Sequence, residues 1–467
     1  MKIQKGIFLF FSLLIAFTGL AEERITNPPQ TNRWSLEACI QHAIEHNISI
    51  QRLQLQREEA RIQENTSRNS RMPNLNIQGA TEMSFGRTEN LTGEFYQRNA
   101  MVTNANVQSV LPVFRGFRIS NQVQHSRLEM LVADENLKKA KEDLSLYITS
   151  LFLQVLFLKE LHHISEAQLA LSKNQLERTL LLVRAGNVPE SLLYDVEAQI
   201  AKDEVAIVDA KNNIELALLD LAQSLELERN TNFDIYAPHF EGDVIGQFMN
   251  SLLFTPDVIY QNALNIKPVI KGQEYRIESA QRMVRIAQAG YYPQLDFTIG
   301  VGTRYHQIYK PREWYNLITQ EPIPVNPPFL TQIQNHTVQL VGIHFTIPVF
   351  NRFQVRNQVR SARVDILNQQ LILEENKKDL FKEIQTAHKN ATAAREKFRA
   401  SERAVRSTNE AFEHARRRYE LGSSSVFEFN ESRTRMIQSR SELVQAKYEY
   451  ILRTKILDFY NGIPIRL

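Results

Sequence analysis

His42, Glu45 and His46 are the residues whose types and spacing most resemble a reaction centre. They lie in the stretch HAIEH, which fits the H-x-x-E-H pattern of zinc hydrolases with both histidines on one helical face. Short patterns of this kind also arise by chance, and no credible third ligand lies nearby in the sequence. We therefore interpret the stretch as packing and expect no enzymatic activity, no metal site and no cofactor. The other histidines considered, His162, His163 and His306, are interpreted as surface or packing residues.

The bulk properties indicate an exported protein. Lys2 and Lys5 precede an apolar run and a small-residue cleavage site, so residues 1–21 are predicted to be a signal peptide. The single cysteine, Cys39, cannot form an internal disulfide and is expected to be a buried structural thiol. The 55 basic and 52 acidic residues nearly balance, which gives no indication of a nucleic-acid partner. After the signal, no stretch is expected to be long and apolar enough for a transmembrane helix.

One phrase of the sequence occurs twice, at an offset of 236 residues. LPVFRGFRISNQV begins at Leu111 and IPVFNRFQVRNQV begins at Ile347, and residues 111–131 and 347–367 agree at 9 of 21 positions. An internal duplication is the simplest account. We predict a first repeat over residues 22–235 and a second over residues 236–467, each with the order helix, strand, strand, very long helix, turn, helix.

Alternation of apolar and polar residues predicts two β-strands in each half, within segments of about residues 72–113 and 292–350. One face of the resulting sheet is apolar and the other carries Asn, Gln, Thr and Asp. Inside a membrane such a sheet must close into a barrel, because every backbone N–H and C=O group needs a partner. Four strands are too few, so closure requires several chains: two, three or four chains give eight, twelve or sixteen strands.

Two very long helices are predicted, over Val355–Tyr419 and Ile119–Arg184. The first shows a 4-3-type apolar stripe, and neither run contains Pro or Gly. Each helix would be about 100 Å long, which belongs to an elongated coiled-coil body. The helices and the export signal alone leave open a soluble periplasmic coiled-coil adaptor or scaffold protein. That alternative does not account for the alternating strands.

The repeated phrase lies where strand is predicted to give way to helix. Proline suits the end of a strand or the first turn of a helix, so Pro112 and Pro348 are expected to mark strand–helix hinges. Phe114 and Phe350 belong to the same two hinges.

The duplicated halves, the P-x-L strand starts at Pro73 and Pro293, the PVF hinges and the glycine-containing turns together resemble the TolC-type outer-membrane efflux family over essentially the whole mature chain. The resemblance implies an α+β membrane protein that forms a homotrimer. Its 12-stranded outer-membrane β-barrel, with four strands from each chain, would contact the lipid and continue as a long α-helical barrel through the periplasm. It implies an exit duct of a tripartite efflux or type I secretion system, joined by a periplasmic adaptor to an inner-membrane pump.

The resemblance also assigns roles to the two helical turns. Helix tips of this kind close the periplasmic mouth and contact the adaptor, and here they comprise Gly186, Asn187, Val188, Pro189, Glu190 and Ser191 in the first turn and Gly422, Ser423, Ser424 and Ser425 in the second. Acidic residues six and nine positions after the second glycine ring the constriction in the family. Those positions are Glu428 and Glu431 here, whereas the first turn has Leu192 and Asp195, so Asp195 alone is carried over. The alternative is a solvated acidic first turn favoured by the helix dipole.

Overall fold

The structure is a computed structural model, and it describes residues 33–89, 93, 95–227, 233–236, 254–309, 314–315, 322–323 and 326–466. The predicted signal peptide, residues 1–21, lies outside the described residues.

The two halves contain the same order of principal elements. The first half contains β1 (Arg33–Trp34), α1 (Leu36–His46), α2 (Ile48–Asn69), β2 (Asn76–Ser84), β3 (Arg87–Glu89), β4 (Phe95–Gln97), β5 (Asn99–Arg115), α3 (Arg118–Arg184), α4 (Ser191–Ser224) and β6 (Asp234–Ile235). The second half contains α5 (Pro256–Ile266), α6 (Pro268–Gln288), a 3-10 turn (Ala289–Tyr291), β7 (Gln294–Tyr309), β8 (Trp314–Tyr315), β9 (Pro322–Ile323), α7 (Phe329–Asn335), β10 (Val338–Thr346), α8 (Gln354–Glu420) and α9 (Val426–Tyr460). The duplication and the boundary between residues 235 and 236 stay predictions.

The long helices form as predicted. α3 and α8 each contain 67 residues, which at 1.5 Å per residue makes each about 100 Å long. On α8 the buried side chains Leu380, Ile384, Ala387, Ala391 and Ala394 follow the 4-3 spacing of the sequence stripe. α9 and α6 pack along α8, so the stripe is covered by helices of its own chain.

The main hydrophobic cluster lies where α1, α3, α4 and α9 meet. Ile148 and Phe152 of α3 are almost completely buried there, beside Cys39 of α1 and Leu221 of α4. The thiol is structural as expected, because burial raises the pKa of Cys39 to about 12. β1 pairs with β6 in parallel at the edge of this cluster and joins the start of the described chain to the end of its first half.

One expectation about this region was wrong. Among the described residues, α3 is the one helix that is long and apolar enough to cross a membrane by length and composition. Such a stretch is also typical of a core helix, and α3 supplies Ile148, Phe152, Leu153, Val155 and Leu156 to the main cluster. We therefore assign the apolarity of α3 to the core.

The principal strands form one antiparallel sheet in the order β10-β7-β5-β2. The central strands β5 and β7 pair along nearly their whole length, from Asn99 opposite Tyr309 to Arg115 opposite Gln294. The outer strands are shorter, with nine residues each. All four lie within the predicted segments of residues 72–113 and 292–350, except that β5 continues to Arg115.

The two faces of the sheet differ as the alternation predicts. One face is apolar. On it Phe297 lies between Leu111 and Ile343 in the register of neighbouring strands, and Ile299 lies opposite Val341. Ile343 is 65% exposed and Phe345 is 72% exposed, so this apolar face has no cover within the described chain. The other face carries Asn104, Asn106, Gln108 and their polar neighbours. A large exposed apolar face of this kind needs a non-aqueous partner.

Candidate functional site

The histidines of the HAIEH stretch do not form a metal-binding arrangement. The rings of His42 and His46 stack with centroids 4.0 Å apart, and Nδ1 of His46 lies 3.0 Å from the carbonyl oxygen of His42. Glu45 accepts a hydrogen bond from Gln41 instead. Burial and the neighbouring His46 lower the pKa of His42, which packs edge-on against Trp34. The packing interpretation agrees with this geometry.

A different histidine pair does meet a carboxylate. In the described part of the chain, His162, His163 and Glu166 on α3 place one ligand atom each within 4.8 Å of one another. Nδ1 of His163 is 3.1 Å from Glu166 Oε2, and Nδ1 of His162 is 3.7 Å away. The spacing of four and three residues from His162 and His163 to Glu166 was a signal in the sequence that these side chains share one helical face. His163 and Glu166 are exposed, and among the described residues no further His, Cys, Asp or Glu belongs to this group.

The two outer strands leave open edges. The side-chain amide of Gln332 accepts a hydrogen bond from the N–H of His306 and donates one to its carbonyl oxygen, each at 2.9 Å. These backbone groups of His306 therefore face away from β5. Backbone groups alternate sides along a strand, so Gly302, Gly300 and Thr298 face β10 in the same way. Their partners in β10 are Val338, Leu340 and Gly342. The intervening residues Gln339, Val341, Ile343 and Phe345 therefore point their N–H and C=O groups towards the unpaired edge.

The same alternation applies at the opposite edge. Asn74 N–H donates to the Val110 carbonyl, so even-numbered residues of β5 face β2. Ile77, Gly79, Thr81 and Met83 then point their backbone groups outwards from β2. β2 and β10 run in opposite directions across the sheet, so an antiparallel ladder between two copies of the chain is geometrically possible.

Where β7 extends beyond β10, side chains replace the missing strand. Asn326 donates to the Ile308 carbonyl and accepts from its N–H, both at 2.8 Å, while Gln332 does the same two residues earlier. Thr303 adds a bond to the Ile333 carbonyl. The described residues 326–337 between β7 and β10 are thus fixed to the sheet and protect its free edge.

The strand–helix hinges share one backbone conformation in the two halves. Gly116 and Phe117 have φ of 61° and 64°, and Arg352 and Phe353 have φ of 55° and 61°. The rings of Phe117 and Phe353 pack edge-on against Phe114 and Phe350, with centroids 5.3 and 5.5 Å apart. The second half tolerates arginine here, whereas a Cβ on Gly116 would lie 2.7 Å from the Ala289 carbonyl oxygen.

The prolines of the hinges occupy different positions. Pro348 follows the end of β10, as expected, but Pro112 lies inside β5 opposite Asp296, ahead of an irregularity before Phe114. The nitrogen of Pro112, which carries no hydrogen, faces the β2 side of β5. The pairing of β2 with β5 has already ended there, at Asn76 opposite Gln108. The strand therefore loses no ladder bond at this proline.

The two helical turns end their helices in the same way. Asn187 N–H donates to the Leu182 carbonyl and Gly186 N–H to the Val183 carbonyl. Ser423 and Gly422 repeat these bonds, 236 residues later, to Arg418 and Tyr419. Gly186 and Gly422 have φ of 73° and 71°, as this left-handed termination requires.

The tips carry exposed apolar side chains beside the turns. Leu421 is 83% exposed, Phe427 is 76% exposed and Leu181 is 65% exposed. Arg178 donates to the Glu420 carbonyl at 2.9 Å and lies 3.4 Å from its carboxylate, which holds the ends of α3 and α8 together. Both turns are thus presented at one end of the molecule.

The carboxylates assigned to the constriction are exposed and have local partners. Glu428 accepts from the Ser424 hydroxyl at 2.6 Å and lies 3.4 Å from Arg418, while its N–H donates to the cap residue Ser425. Glu431 pairs with Arg435, and Asp195 is exposed on α4. Glu428 therefore takes part in the N-cap of α9, which agrees with the alternative of a solvated acidic first turn. This geometry does not test the role of Glu428 at the constriction.

A buried ion pair ties the two hairpins together. Arg433 of α9 and Asp203 of α4 have side chains only 4% and 2% exposed, with 2.8 Å between Nη2 and Oδ2. Gln168 and Gln199 donate to the other carboxylate oxygen at 2.6 and 2.9 Å, and Ser172 of α3 bonds both partners. The sequence pattern did not single out this cluster, because charged residues on long helices are usually solvated.

Comparison with known proteins agrees with this architecture. The family model described as "Outer membrane efflux protein" matches residues 39–226 and 259–460. Outer membrane protein TolC of Escherichia coli K12 is 21% identical over 321 residues, which is 69% of this chain and 62% of TolC. Cation efflux system protein CusC of E. coli O157:H7 is 22% identical over 88% of this chain and 82% of CusC. The chain thus matches less than two thirds of the TolC length.

Solved structures show the same fold. A crystal structure of CusC superposes with a TM-score of 0.73 at 16% identity, covering 92% of both chains. The outer membrane protein VceC of Vibrio cholerae gives a TM-score of 0.71 at 16% identity, over 92% of this chain and 97% of VceC. With the family model matching both halves, the chain belongs to the outer membrane efflux protein family, and it is a protein of the outer membrane.

Proposed function

We propose that three copies of this chain form an outer-membrane channel that serves as the exit duct of a tripartite efflux or type I secretion system. The four-stranded sheets close into a 12-stranded barrel, and the long helices extend it as a tunnel into the periplasm. An inner-membrane pump then delivers its substrate through this duct by way of a periplasmic adaptor.

One observation carries the proposal: a sheet with two open edges and an uncovered apolar face continues directly into two helices of 67 residues. In lipid the apolar face is favourable, but the free N–H and C=O groups at both edges must be paired. Joining β2 of one chain to β10 of the next satisfies both edges. The alternative from the sequence, a soluble coiled-coil adaptor or scaffold, does not account for a sheet with an exposed apolar face and two open edges.

Cell fractionation tests the proposal. We expect the protein in the outer-membrane fraction, extracted only by detergent, as a trimer that dissociates on heating before electrophoresis. Purified trimers are expected to conduct ions in planar bilayers. Recovery of a soluble, folded monomer after osmotic shock would contradict the proposal and favour the soluble alternative.

The tips suit a docking role for the adaptor. Leu421, Phe427 and Leu181 expose apolar surface next to turns whose backbone is fixed by identical terminations. Exposed apolar groups rimmed by polar residues are typical of protein–protein contacts. We assign Gly186–Ser191 and Gly422–Ser425 to this contact. A photo-crosslinker at the half-buried Ser424 is expected to capture the cognate adaptor.

We assign Glu428, Glu431 and Asp195 to the periplasmic mouth. In a trimer Glu428 and Glu431 give six carboxylates near one end of the tunnel, where a ring of like charges attracts cations. Replacing both residues with alanine is therefore expected to reduce the block of single channels by a multivalent cation, measured in planar bilayers. Asp220→Ala, an acidic site on α4 away from the tip, is the control. Unchanged cation block in the double variant would leave these carboxylates with the capping role alone.

A further inference from the structure

The polar face of the sheet contains a large recess near the outer ends of the strands. It has a volume of about 880 Å³ and is lined by Asn104 and Asn106 of β5, Arg304 and His306 of β7, and His336 of the loop after α7. Arg98, just before β5, forms its outer rim. Arg304 and His306 lie on the same side of the sheet as the asparagines, which is the face that the proposed barrel encloses.

Hydrogen bonds hold the side chains and the loop that line the recess. Arg304 donates from Nε to Asn104 Oδ1 at 3.1 Å, which directs the rest of its exposed guanidinium over the polar face. His336 contacts the Arg304 carbonyl through Nδ1 at 2.9 Å, and its ring lies 5.5 Å from that of His306. The side-chain amides of Gln332 and Asn326 form hydrogen bonds with the backbone of β7, and these bonds hold the loop that carries His336 in place.

The charges on this face are uneven along the strands. Towards the helices, Arg115 and Asp296 form a two-bond ion pair at 2.9 and 2.8 Å and cancel one another. Towards the outer end, Arg304 and Arg98 accompany Glu82, which is the one carboxylate among the described residues at this end of β2, β5, β7 and β10. The register places Glu82 opposite Val102 and hence level with His306. Among the described residues of β2, β5, β7 and β10 no other Asp, Glu, Lys or Arg is present.

We propose that the outer mouth of the barrel is a binding ring for anionic solutes, formed by Arg304 and Arg98 of three chains, with the His306 and His336 rings as polar neighbours. The inference rests on the proposed trimeric channel and adds a substrate class: solutes that carry carboxylate, phosphate or sulfonate groups. Arginine suits this role because its planar fork stays charged and pairs with both oxygens of such groups. Counting only Arg98 and the described residues at this end of the four strands, a trimer places six guanidinium groups against the three carboxylates of Glu82. This excess of positive charge concentrates anions at the exit, and screening by salt limits its reach to about 8–10 Å.

The two ends of the channel would then have opposite preferences, since the carboxylates at the tips favour cations. A salt-gradient measurement averages both ends, so the test must address the outer mouth alone. Inorganic tripolyphosphate, added only to the side of the bilayer that the barrel mouth faces, is expected to block single wild-type channels. Arg304→Glu is expected to raise the concentration for half-block by roughly tenfold or more, since it exchanges three positive for three negative charges.

Arg98→Glu provides a second variant, which disturbs no strand because Arg98 precedes β5. Arg52→Glu on the exposed surface of α2 makes the same charge change far from the sheet and is expected to leave the block unchanged. Wild-type trimers that conduct but are not blocked, or Arg304→Glu and Arg98→Glu channels blocked like the wild type, would overturn the inference and leave the channel intact. A wild type that forms no conducting trimer would overturn the proposed function, and the anion ring with it.

Discussion

Replacing Arg433 with alanine is expected to destabilise the helical body by about 3–5 kcal/mol, the cost typical of breaking a buried ion pair by removing one partner. The carboxylate of Asp203 is only 2% exposed, so solvent cannot replace the guanidinium. The two glutamine amides and the Ser172 hydroxyl that remain around it are neutral donors. The effect is measured as the fall in the urea midpoint of the helical circular dichroism signal of the detergent-solubilised protein.

A matched control lies on the same helix. Arg435 pairs with Glu431 at a surface where the two side chains are 70% and 46% exposed, so Arg435→Ala is expected to cost less than about 1 kcal/mol. Joint replacement of the buried pair, Arg433→Met with Asp203→Leu, is expected to restore most of the loss, because neither charge is then left buried alone. Equal midpoints for Arg433→Ala and Arg435→Ala would show that the buried pair does not tie the hairpins together.

The elements that the sequence revealed are those governed by periodicity. An apolar stripe at helical spacing led to α8, and a matching run of the same length without Pro or Gly led to α3, each within a residue or two of its bounds. Alternation led to the exposed face of Ile299, Val341 and Ile343. These patterns are local: each residue's side of a helix or strand follows from its number along the element.

What the sequence could not show depends on contacts between distant segments. The Arg433–Asp203 pair joins residues 230 positions apart, and Gln332 pairs with His306 only because the loop folds back on β7. Pro112 was placed at a strand end, but the strand continues past it, because its missing N–H faces a side from which β2 has already departed. The meeting of His162, His163 and Glu166 was within reach, since the spacing of three and four residues places these side chains on one helical face.

Val341→Pro is expected to prevent trimer formation while leaving the four-stranded sheet of each chain paired. The N–H of Val341 points to the open edge of β10 and not to β7, so its loss removes no bond within the chain. In the proposed barrel the same N–H donates to β2 of the neighbouring chain, and an unpaired carbonyl in the hydrocarbon region costs several kcal/mol. Three such sites occur in each trimer. Electrophoresis without heating is expected to show monomers in place of the trimer band.

Two controls separate an edge effect from a general disturbance of β10. Val341→Ile keeps the N–H and an exposed apolar side chain and is expected to assemble like the wild type. Leu340→Pro removes an N–H that faces β7, so it is expected to disrupt the sheet of the single chain as well, with a loss of strand signal in the infrared amide band. Trimers of Val341→Pro with wild-type heat resistance would mean that β10 is not the edge at which the chains join, and closure of the barrel would then have to be sought at another surface.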